Sequence, residues 1–170
     1  MDLNQFTSSG QLPKAELTRQ QRYFADRPPR FLSESYAPRP TEVRDLTFDG
    51  HGELINPCFD LGCKRCGKPD HRVILGRGSF WSRRGKGLST VCLNCGHHSV
   101  LMGKDSAGPA WRCDCGSEAV RPGIRFEYPG DLFEFPGAEG HEPEGFSWVT
   151  AFATCTDCGA RSILADAETS

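Results

Sequence analysis

Apolar material is scarce in this chain. Only 37% of its 170 residues are hydrophobic, with two Met, three Trp and three Tyr. That excludes one large hydrophobic core, and a small body so composed needs disulfides or metals to hold it. No run approaches the roughly 18 apolar residues of a membrane span. The longest, Phe146 to Cys155, is about strand length. Met1 to Gln5 shows neither the basic start nor the apolar core of a signal peptide. Nucleophile elbow, P-loop and H-E-x-x-H are all missing. The expectation is therefore a non-enzymatic, cytoplasmic protein that uses its thiols for metal rather than for disulfides.

What is plentiful is glycine (19), proline (12) and cysteine (9). Eight of the cysteines fall in four pairs, each followed by glycine: Cys63/Cys66, Cys92/Cys95, Cys113/Cys115 and Cys155/Cys158. The pairs at 92 and 155 open two copies of C-x-x-C-G-x-x-S-β-branched-Leu, 63 residues apart. Each copy reads as a knuckle: two thiolates on a tight turn, Gly in the strained position after the second, then a strand. Zinc takes four soft ligands in a tetrahedron, so one knuckle needs a second from a distant hairpin. Eight thiolates make two closed sites, hence two Zn2+ per chain. The repeat favours sequential sharing, with Cys63, Cys66, Cys92, Cys95 on one metal and Cys113, Cys115, Cys155, Cys158 on the other. Nested sharing, with the middle pairs together and the outer pairs together, is the rival.

Two iron readings stand beside zinc. The first two pairs also resemble rubredoxin, although Leu93 stands where that family's second loop carries Pro. The spacing Cys58-x4-Cys63-x2-Cys66, with Cys92 later, matches a plant-type [2Fe–2S] set but leaves Cys95 over. The plainer expectation for Cys58 is a small buried apolar residue beside Phe59 and Leu61. His97 and His98 follow a knuckle directly, yet four Cys already complete the site.

Along the chain, residues 1–45 read as an extended arm. One short helix starts at Pro13 and runs to Phe24, with a thin stripe of Leu17 and Phe24 interrupted by Gln20 and Gln21. Arg30 to Glu42, with Pro38 and Pro40, is expected to be extended. A small hairpin is expected from Leu46–Phe48 and Glu53–Ile55 around the turn 49–52. Then one pattern repeats: knuckle, strand, tip, strand, knuckle. Residues 46–111 form the first unit and its linker, and 112–170 the second. The pattern over residues 58–165 resembles tandem zinc-ribbon proteins, a fold class more than one family. The resemblance implies a small, mainly β, metal-stabilised fold with a binding or structural role.

Charge divides unevenly. Residues 63–125 carry 12 Lys/Arg and 4 Asp/Glu, while 126–170 carry 1 and 9. The first tip concentrates Arg77, Phe80, Trp81, Arg83, Arg84 and Lys86. Cations can neutralise phosphates and aromatics can stack on bases, so nucleic acid is the expected partner. An acidic protein surface fits the same residues. The acidic tip, Pro129 to Gly145, can meet a basic protein or fold against the basic tip of its own chain. Three functions follow: a nucleic-acid-binding accessory protein docked on a larger complex by its arm, a protein-binding adaptor without nucleic acid, or an iron electron carrier. No membrane and no small-molecule substrate is expected.

Overall fold

A computed structural model describes residues 14–48, 53–76, 87–134 and 136–169. Helix α1 (Lys14–Ala25) lies where its stripe predicts. Phe24 is fully buried, and so, nearly, is Gln20. The glutamines in the stripe are bonded: Gln20 Nε2 donates to Glu16 Oε1 at 2.8 Å, and Gln21 Nε2 to the Leu54 carbonyl at 2.9 Å.

The next stretch corrects the expectation of a wholly extended segment. Arg30–Ser35 forms a second helix, α2. Its six residues contain no proline, and one and a half turns bury Leu32 completely and set Phe31 edge-on to Phe126 at 6.0 Å. Extension begins only at β1 (Tyr36–Thr41), which pairs antiparallel with β2 (Cys58–Cys63). Pro38 and Pro40 sit at alternate positions of β1. Both missing N–H groups therefore face one side, the unpaired edge, where they cost no ladder bond.

The small hairpin is also corrected. Leu46–Phe48 and Glu53–Ile55 do not pair with each other, and the turn 49–52 lies outside the described residues. Ile55 bridges to Tyr128 instead and is 1% exposed, because a large aliphatic gains more in the core than in a two-stranded ribbon in water.

The remaining strands are β3 (His71–Leu75), β4 (Leu88–Cys92), β5 (His98–Met102), β6 (Val120–Glu127), β7 (Trp148–Cys155) and β8 (Arg161–Glu168). They form two copies of a three-stranded unit, β3-β4-β5 and β6-β7-β8. The match is residue by residue. His71 pairs with Cys92 as Val120 pairs with Cys155, and Thr90 with Ser99 as Ala153 with Ser162. Both units carry a register break at the same place, between Leu88 and Ser89 and between Ala151 and Phe152.

The copies are joined about a local two-fold. His71 pairs with Val120, so equivalent residues meet. Away from that point each unit lends the stretch ahead of its first cysteine to the other. β2 runs along β6, with Asp60 opposite Gly123, and residues 109–111 run along β3, with Ala110 opposite Ile74. Reciprocal ion pairs flank the junction: Arg72–Glu118 at 3.0 Å and Arg121–Asp70 at 3.2 Å. One hydrogen-bonded sheet thus links all eight strands.

The arm closes over this sheet. Phe24 stacks on Tyr128 at 3.9 Å and 18°, and Tyr36 is buried with its hydroxyl 2.8 Å from Thr90 Oγ1. The acidic stretch folds onto the arm: Glu142 Oε2 accepts from Tyr23 Oη at 3.2 Å, and Glu144 Oε1 from the Arg30 N–H at 2.7 Å. These contacts are with the arm; the basic tip, the partner expected for it within the chain, lies outside the described residues.

Candidate metal centres

Two four-sulfur groups form, Cys63/Cys66/Cys92/Cys95 and Cys113/Cys115/Cys155/Cys158, each with all its sulfurs within 4.8 Å of one another. This is sequential sharing. Nested sharing is not what the fold assembles.

The knuckles explain why these residues converge. In the first, Gly67 N–H donates to the Cys63 carbonyl at 2.8 Å, and Cys63 N–H to Lys68 O at 2.9 Å. The same two bonds recur at Cys92, through Gly96 and His97, and at Cys155, through Gly159 and Ala160. The C-x-C knuckle makes them one residue tighter, through Gly116 and Ser117. Each turn needs a residue at positive φ, and the four glycines supply it at 74°, 74°, 92° and 75°. Facing knuckles are also tied by backbone: Leu93 N–H donates to Asp70 O and Thr156 N–H to Ala119 O, both at 3.0 Å.

The donor set fits one tetrahedral metal per group. The closest sulfurs lie 3.5 and 3.6 Å apart in the first group and 3.6 Å in the second. A tetrahedron with zinc–sulfur bonds of about 2.3 Å has edges of about 3.8 Å. A disulfide needs about 2.05 Å, so these are not disulfides. Backbone N–H groups aim at the sulfurs as well. The Lys68 N–H pulls the Cys66 thiol down to about 6, and the N–H groups of Cys158 and Asp157 do the same for Cys155. At Cys95 the His97 N–H also pulls down, but burial and three neighbouring sulfurs outweigh it and leave the thiol at about 11. Four thiolates this close repel one another, and a bound cation removes that conflict.

The groups differ in access. The first cysteine of every knuckle is buried. The second is half-buried at Cys66 and Cys95 but exposed at Cys115 and Cys158. A chelator is therefore expected to reach the second group first. With the metal-loaded protein, Cys115 and Cys158 should become alkylated several-fold faster than Cys66 and Cys95, as mapped by peptide mass spectrometry. Equal rates would mean that ligand exposure does not govern release.

Cys58 stands outside both groups, so the [2Fe–2S] set is not assembled. It is 8% exposed, and burial pushes its thiol up to about 11, as a small core residue requires. His98 is no ligand either; its Nε2 lies 2.6 Å from Asp105 Oδ1. Arg77, Phe80, Trp81, Arg83, Arg84 and Lys86 lie outside the described residues, and join β3 to β4. No helix among the described residues is long and apolar enough to cross a membrane. Comparison with family models, curated proteins and solved structures gave no match.

Proposed function

We propose that this is a non-catalytic zinc-ribbon-like protein that binds nucleic acid through the residues joining β3 to β4. The observation that carries the reading is the pair of complete four-thiolate groups. When bound, zinc supplies no redox chemistry and, with four sulfur ligands, no open position for a water or substrate. Its role is to fix one hairpin against another. Residues 77–86 then carry four of the chain's cations and two aromatics on the end of a fixed hairpin, Leu75 opposite Leu88. Phosphate contacts and base stacking suit that composition. Docking by the arm has less support, because Phe24, Leu32 and Tyr36 are buried in their own chain.

The test is binding of a fluorescent single-stranded oligonucleotide at several salt concentrations. Affinity should fall steeply with salt, and Arg83→Ala with Arg84→Ala should weaken it roughly tenfold, with a salt slope lower by about two. Unchanged affinity in the double variant removes the tip from the mechanism. Elemental mass spectrometry on untagged protein should find two zinc per chain, whereas iron with visible charge-transfer bands would make it a redox carrier.

A further inference from the structure

A cavity of about 550 Å³ opens between α1, the end of β1 and the start of β2. That is the size of a small-molecule pocket. The cationic side chains on its lining are Arg22, Arg44 and Arg125, against one acid, Glu42. Glu42 is already paired with Arg44 at 2.6 Å. Arg22 and Arg125 are left without a carboxylate inside the cavity.

Arg125 is the unusual member. It is 9% exposed, and its Nη1 has no hydrogen-bond partner among the described residues. Its ion-pair partner Glu127 is 3.7 Å from Nη2, beyond hydrogen-bond length, and neither Glu127 oxygen is hydrogen-bonded among the described residues. The Phe48 ring lies 4.4 Å from the guanidinium carbon and closes its other side. A buried guanidinium with an orphan donor is costly in an apo protein, and an oxyanion accepting from its planar fork relieves that cost. Cys58, cross-strand from Arg125, is a neutral thiol at pH 7 and adds no opposing charge. Thr41 and Asn56 add a hydroxyl and an amide to the rim, while Pro40, Pro57 and Phe48 offer apolar wall.

We infer that this cavity binds a small organic molecule through a carboxylate or phosphate held by Arg125 and Arg22. The site is independent of the metal groups and of the β3–β4 connection.

The test uses metal-loaded full-length protein at fixed ionic strength, with adenosine monophosphate and succinate as the phosphate and carboxylate probes. Backbone amide shifts followed by NMR should saturate with at least one probe, and cluster in residues 18–25, 40–44 and 56–58. Arg125→Lys keeps the charge but loses the fork, and should weaken binding about tenfold or more. Arg22→Ala lies at an exposed helical position and tests the site even if the buried variant fails to fold; about three- to tenfold weakening is expected. Arg83→Ala with Arg84→Ala should leave this binding unchanged, which separates it from the nucleic-acid reading. Response to one probe alone identifies the headgroup. The inference is overturned by no saturation below about 10 mM with either probe, or by saturable binding indifferent to both Arg125→Lys and Arg22→Ala.

Discussion

Cys92→Ser is expected to unfold the entire chain, not to empty one site of an otherwise intact protein. Structural zinc contributes about 10–16 kcal/mol of apparent binding free energy. Net stability of a domain is about 5–15 kcal/mol. A site left with three thiolates and a hydroxyl loses a large part of the first quantity, and the second cannot absorb it. The second group gives no refuge, because the units exchange strands. β2 ends in Cys63 of the first group yet lies along β6, and β6 leads from the second group. When knuckle one loosens, β6 loses the strand on that edge. The expected result is loss of the β-sheet circular dichroism signal together with release of metal from both groups, seen by native mass spectrometry. A folded protein carrying one metal would show that the two units stand alone.

Phe24→Ala should be nearly as damaging for a different reason. Phe24 is fully buried, stacked on Tyr128, and meets Tyr23 at 5.2 Å and Phe133 at 5.7 Å. Truncating a buried Phe costs about 3–5 kcal/mol, since the cavity left behind only partly closes. For a chain of this length that lowers Tm by roughly 10 °C or more. Calorimetry on the metal-loaded variant reads the effect directly, with metal content as a control. An unshifted Tm would return residues 14–25 to the status of a loose tail.

The metal chemistry was the most legible part of this chain. Paired thiols followed by glycine specify a turn, and the 63-residue repeat specified which pairs play the same role. The strands leading out of each knuckle could be read for the same reason, and so could α1. Other features were hidden by competition between local and distant terms. Arg30–Ser35 sits between prolines, and only the burial of Leu32 makes a short helix worthwhile there. β1 contains two prolines, and their alternate placement suits an edge strand that composition alone argues against. Leu46 to Ile55 has hairpin chemistry, but Ile55 finds a better partner 73 residues away in Tyr128. Arg125 and Glu127 alternate with Ile124 and Phe126, a pattern that puts the charges toward water. Both side chains are buried all the same, and α1 and the chain after β1 line the cavity beside Arg125. The strand exchange leaves no periodicity to detect, since it pairs Asp60 with Gly123, 63 positions on, and Ile74 with Ala110, 36 positions on.

That exchange also sets a timetable. On a chain emerging from the ribosome, the last ligand of the first metal group is made at residue 95, but the partner of β2 arrives only at residues 123–125. The first metal can therefore be captured while β2 still presents an unpaired edge. For that interval the nascent chain is a loaded but half-closed intermediate, open to pairing with another copy. Pairings this distant in sequence also make refolding of the finished chain slow. In a cell short of zinc, the vulnerable moment is synthesis itself: the first unit then waits without its metal staple, in addition to its open β2 edge, while the second is still being made.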